Sequence, residues 1–172
     1  MRSVRTLRNR SRRIANPLAP RARIEAAARE PRVLEDAAGA PAVSELPSAL
    51  ERPWKHLEHA VEGAREDASD ASLHAVRIRA KRARYAAEAV SPVFGKRAEA
   101  FADAAADLQD VLGDHQDSVV ARAWLRGAAR DGADAFVAGE LAAIEAQAAA
   151  EARAAWPKAW KTLSRKRLRF WV

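Results

Sequence analysis

Residues 73–88 read LHAVRIRAKRARYAAE, and within them His74, Arg77, Lys81 and Arg84 follow one another at spacings of three and four. On a helix turning about 100° per residue these four side chains share one face roughly 80° wide, and Glu88 falls on the same face. Leu73, Val76, Ala80, Ala83, Ala87 and Val90 gather on a neighbouring face and read as the core side. Ile78 and Tyr85 lie beyond the other margin of the basic row, so apolar residues flank it on both sides. Arg79 and Arg82 fall away from the row, where a solvated charged face belongs. A line of guanidinium and ammonium groups is anion-binding chemistry, because forked, charge-assisted donors match phosphate oxygens. His74 at the head of the row adds a donor whose charge depends on pH.

Like charges three and four residues apart destabilise an isolated helix by a few tenths of a kcal/mol per pair, so the row requires a counter-charge. One source is internal: Glu88, Asp110, Asp114 and Asp117 are available. The other is a bound anion whose charge repeats over about 10–15 Å, the reach of ten helical residues at about 1.5 Å each. The residues themselves leave both open.

The elements that must hold this row are helical. Of 172 residues 49% are hydrophobic, 44 are Ala, only 7 are Gly, and Tyr and Phe together number 5. Ala loses least on entering a helix, and the β-branched and aromatic mixture of strands is missing. The expected fold is all-α, an antiparallel bundle of four or five helices. A short helix fits Arg21–Arg29 between Pro20 and Pro31. The first long helix is expected over Ser48–Arg65, with Ser48 and Glu51 spaced as a capping box and Pro53 in its first turn or delaying its start. The basic-row helix is expected over Leu73–Val90, ended by Ser91-Pro92. A third runs over Gly95–Leu112 with Phe101, Ala104, Ala105, Leu108, Val111 and Leu112 along one stripe, and Gly113 ends or bends it. Ser118–Ala129 follows, up to Asp131-Gly132, and the last pattern spans Ala133–Phe170 with a kink at Pro157.

Charge and composition exclude several classes. The net charge is +7, and residues 1–23 alone hold eight Arg and no acid. Residues 1–24 are therefore expected to form a basic segment without fixed structure, ahead of a helical domain over 25–172. With no cysteine there is no disulfide, thiolate metal site or Cys nucleophile. No apolar run reaches the roughly 18 residues of a membrane span, and the N-terminus lacks the apolar stretch of a secretory signal. A cytoplasmic protein is expected. No Gly-rich phosphate loop, nucleophile elbow or HExxH is present, so no catalytic constellation, metal or cofactor is expected. His56 and His59, with Glu58 and Glu62 nearby, read as exposed polar residues, since a metal needs about three convergent ligands. Asp110, Asp114 and Asp117 read as partners of the basic row rather than as a Mg²⁺ cluster. Trp156 and Trp160, four apart, read as bundle core rather than a base-stacking platform. The Arg-rich N-terminus supports a rival reading, nonspecific nucleic-acid binding by counterion release. A third reading is a structural assembly subunit whose basic row is paired internally.

The pattern His74-x2-Arg77-x3-Lys81-x2-Arg84-Tyr85-x2-Glu88, followed by Leu108-Gln-Asp-Val-Leu-Gly-Asp-His-Gln-Asp117, resembles the second half of the CHAD family, the conserved histidine α-helical domain. Glu45-Leu-Pro-x5-Arg52-Pro-Trp54 upstream, and Trp156, Trp160 and Phe170-Trp171 downstream, extend the resemblance over roughly residues 25–172. It implies a helical domain that binds inorganic polyphosphate, built in that family from two four-helix repeats whose basic residues line a shared pore. By motif match His74, Arg77, Lys81 and Arg84 would face the anion. Arg82, His115, Lys161 and Arg165 are secondary candidates, and His115 and Asp117 of the second motif are expected to serve packing or orientation of the row. The resemblance also implies association with polyphosphate granules and with a CYTH triphosphatase. An earlier His-and-Arg helix with its own Leu-Gly motif is missing from residues 1–45. The chain therefore reads as a C-terminal half, a truncated domain, whose missing surface a homodimer or a complementary half-domain partner would supply.

Overall fold

The computed structural model describes residues 19–30, 39–132 and 134–172. The chain divides into two compact units, Met1–Ala40 and Pro41–Val172. In the first, α1 spans Ala19–Arg29. The short helix expected over Arg21–Arg29 is present and begins two residues earlier, inside the segment 1–24 expected to lack fixed structure; Pro20 falls in its first turn, where its missing N–H costs nothing. The Arg-rich residues 1–18 lie outside the described residues.

In the second unit the described residues form four long helices, α2 (Ala42–Glu66), α3 (Asp70–Phe94), α4 (Lys96–Arg130) and α5 (Ala135–Leu163), then a 3-10 turn at Lys166–Leu168. Each packs on its neighbour in the chain. The core is the stripe of each helix at i, i+3, i+4 and i+7. It comprises Leu50, Trp54, Leu57 and Val61 of α2, all six apolar positions expected on α3, Phe101, Leu108 and Leu112 of α4, and Trp156, Trp160 and Leu163 of α5. Burial of this continuous apolar face, rather than local propensity, holds the helices.

Three expected boundaries are corrected in the direction of longer helices. α2 starts at Ala42, so Pro47 and Pro53 are interior and Ser48 is no cap; its hydroxyl donates to the Glu45 carbonyl at 2.7 Å. α3 continues through Pro92 to Phe94. Proline removes one ladder bond near a helix end, and packing of Phe94 against the core offsets that loss. The break falls at Gly95, whose φ of 56° turns the chain directly into α4. Gly113 does not end the next helix: α4 runs unbroken for 35 residues, about 50 Å. Leu112, His115 and Ser118 around Gly113 are buried, and their packing overrides the propensity loss of about 1 kcal/mol.

The Asp131-Gly132 break is where it was expected, with Asp134 capping α5 by accepting from the amides of Phe136 (2.9 Å) and Val137 (3.2 Å). α5 passes through Pro157 and stops at Leu163 rather than at Phe170. The last residues fold back instead, setting Phe170 on Phe94 and Trp171 on Phe101, with ring centroids 5.1 and 5.0 Å apart. Trp54 stacks on Trp160 at 5.4 Å, joining α2 to α5. No described helix is long and apolar enough to cross a membrane.

Candidate functional site

α3 begins at a defined cap. Ser69 accepts from the Ser72 amide at 3.3 Å, and Asp70 puts a carboxylate at the positive end of the helix. From this start the helical register sets the basic row. His74 and Lys81 are exposed, Arg77 and Arg84 half-buried. Tyr85, half exposed at the margin, lies under two members of the row. Lys81 Nζ stands 5.6 Å, and Arg84 Cζ 5.7 Å, from its ring centroid. The ring face offsets part of the repulsion between the two cations.

The expected acidic partners are mostly not used. Arg84 Nε donates to Glu88 Oε1 at 2.6 Å, and this contact, above all, raises the guanidinium's pKa further. Among the described residues Arg77 and Lys81 form no ion pair, and Asp110, Asp114 and Asp117 pair with neither. Asp110 adds only a coulombic pull on Arg84, so the row is balanced at its Arg84 end alone, and the expected pairing with Asp114 and Asp117 is corrected.

Arg77 meets α4 at a glycine. A methyl group on Gly113 would lie 3.6 Å from Arg77 Nε, so the guanidinium stem rests across the helix backbone there. Its Nε is shut from solvent without a protein partner. The Leu-Gly step of the second motif thus gives Arg77 its seat.

His115, two residues on, is only 1% exposed. As a contact for an outside anion it is corrected: its ring is an internal clasp. Nε2 lies 3.1 Å from Arg153 Nη2 and 3.3 Å from Asp70 Oδ1, while Arg153 Nη2 donates to Asp70 Oδ1 at 2.5 Å. The clasp ties the start of α3 to the middle of α4 and to α5, one turn below His74. Burial pushes the His115 pKa down, the Arg153 charge pushes it further, and Asp70 opposes both. A neutral ring can use Nε2 to accept from Arg153 or to donate to Asp70, one at a time, and Nδ1 is buried without a partner.

Asp70 and Arg153 are the site residues that sequence reasoning missed. They are 83 positions apart, and no periodicity links them. Arg82, a secondary candidate, is where the helical register puts it. It stands away from the row with Arg79, beside Arg52 and His56 of α2. Lys161 and Arg165 are exposed near the end of α5 and share no ion pair or side-chain hydrogen bond with the row. Among the described residues no three His, Asp or Glu side chains converge as a metal ligand set.

A family model described as the CHAD domain matches residues 4–126, a stretch that includes both the basic row and the Leu-Gly segment. No curated protein and no solved structure matches the chain.

Proposed function

The chain belongs to the CHAD domain family, and from that premise we propose that it binds inorganic polyphosphate on the face of α3 that carries His74, Arg77, Lys81 and Arg84. The observation behind this reading is the charge imbalance of the row. Four bases run along about 15 Å of helix, and only Arg84, at one end, has an ion pair, with Glu88. Arg77 and Lys81 lack any internal counter-charge among the described residues. A linear anion with evenly spaced charges would remove the repulsion and accept charge-assisted hydrogen bonds along its length. Gly113 and Tyr85 hold Arg77, Lys81 and Arg84 in place beforehand, which lowers the entropy lost on binding.

The proposal is of binding without turnover. It carries with it a cytoplasmic, granule-associated location and the company of a CYTH triphosphatase. A second copy or a complementary half-domain would add cations, and exposed Trp124, Phe136 and Ile144 give such a partner apolar surface to cover.

The test is titration with long-chain polyphosphate, with orthophosphate and duplex DNA in parallel. The wild type, an Arg77→Ala/Lys81→Ala variant and a chain lacking residues 1–23 are compared. Expected is tight, salt-sensitive binding of polyphosphate over DNA, lost in the double variant and kept in the truncation. Equal binding of both polyanions, lost with the truncation, would establish the Arg-rich terminus as the binding element and overturn the reading.

A further inference from the structure

The side of α3 turned roughly 160° from the row carries a second set of cations. Arg79 and Arg82 face α2 across a hollow of about 200 Å³ that Arg52 and His56 line from the other wall. Arg79 and His56 also line a second hollow, of about 380 Å³, which runs on past His59 over Gly63. The two form one groove between α2 and α3, floored by small residues that keep it open.

No acid lines either hollow. On α2 Glu45 shares the angle of Arg52 about two turns before it and Glu66 lies at the helix end, while the acids beside the hollows are set to one side. At about 100° per residue Glu51, Glu58 and Glu62 cluster on one side, and Arg52, His56, His59 and Gly63 on the next. Glu51 is engaged with Lys55 at 2.6 Å, and Glu62 reaches only the groove's rim, 3.9 Å from His59. Among the described residues Arg52, Arg79 and Arg82 have no ion pair and no side-chain hydrogen bond. Three guanidinium groups from two facing helices therefore converge on an open, small-floored space with no counter-charge of their own.

We propose that the α2–α3 groove is a second anion site, separate from the row, which takes a compact di- or triphosphate group. Such a group is carried at the end of a nucleotide and of an inorganic phosphate chain. Forked donors from opposite walls can hold different oxygens of one phosphate group, which a single carboxylate cannot offer to three guanidiniums. Hollows of this order suit a small ligand. Because it uses none of the residues of the row, the assignment stands or falls independently of the polyphosphate reading.

The test follows the imidazole signals of His56 by NMR in the full-length protein as tripolyphosphate, ATP or poly-glutamate is added. Wild type, Arg79→Ala/Arg82→Ala, Arg52→Ala and Arg77→Ala/Lys81→Ala are compared, with folding checked by circular dichroism. Expected is a saturable shift of His56 with tripolyphosphate and ATP. It should persist in the row variant and weaken about tenfold or more in both groove variants, as loss of a charged hydrogen bond implies. Equal affinity for the two ligands would assign recognition to the phosphates alone, and tighter ATP binding would assign a nucleotide end. Unchanged binding in Arg79→Ala/Arg82→Ala and Arg52→Ala, or an equal response to poly-glutamate, would overturn the proposal.

Discussion

The basic row lies between two ends of the bundle that are held by opposite means. Beyond Arg84, α3 ends among rings: Phe94 on Phe170, Phe101 on Trp171, Trp54 on Trp160. Before His74 it starts at a polar clasp of Asp70, His115 and Arg153. The aromatic end gains from area removed from water plus about 0.5–1.5 kcal/mol per ring pair, and neither term depends on the protonation of a side chain. The clasp end gains little net energy, since its partners are half exposed and its histidine is buried at a cost. It specifies geometry instead. The difference teaches that one end sets the stability of the bundle while the other sets where the head of the row stands, and only the second answers to protonation.

Substitutions at each end sharpen that contrast. Trp54→Ala should have the largest effect, a loss of about 3–5 kcal/mol seen as a lower urea midpoint, because it empties the centre of the ring cluster. At the clasp, Arg153→Ala should cost only about 1 kcal/mol, given its exposure. A double cycle with Asp70→Ala should be non-additive. Equal losses from Trp54→Ala and Arg153→Ala would erase the distinction between the ends.

Acid should also act at the clasp alone. The folded His115 has a pKa below its ordinary value of about 6.5, so the unfolded chain takes up the proton first. The stability tied to this group is complete above about pH 6.5 and declines as pH falls below that value towards the folded pKa. Urea midpoints measured across this window should fall in the wild type and flatten in His115→Leu. A window unchanged by that substitution would remove His115 from the account.

The two smallest effects concern the row. Glu88→Gln should tighten polyphosphate binding by less than about tenfold, because it frees Arg84, and should change stability by at most about 0.5 kcal/mol. Calorimetric titration measures the first and thermal melting the second. Gly113→Ala should stabilise by up to about 1 kcal/mol with affinity unchanged, since the added methyl meets Arg77 at ordinary contact distance. A drop in affinity would show that Arg77 needs more room than the structure gives it.

The helical period carried much of this into the sequence. Leu73, Val76, Ala80, Ala83, Ala87 and Val90 were legible as the buried face of α3, and that face leaves the row at its edge. Helix ends were less legible. Pro92 and Gly113 read as ends or bends and Pro53 as part of a first turn, yet each lies inside a longer helix, and past Pro53 and Gly113 the buried stripe continues. Local signals for ending a helix are worth about 1–3 kcal/mol, and a continuous core face outweighs them.

The sequence by itself determined that the chain is helical and which side of each helix is apolar. It also determined that four bases share one face, because all of this depends on spacing along a single helix. Tertiary structure decided the rest. It put Arg77 across Gly113, buried His115 between Asp70 and Arg153, and turned Arg82 towards Arg52 and His56. Each of these juxtapositions joins different helices, from 26 to 83 residues apart, and depends on how their surfaces interlock. Helical periodicity sets direction around one axis; it does not say which axis comes to lie beside it.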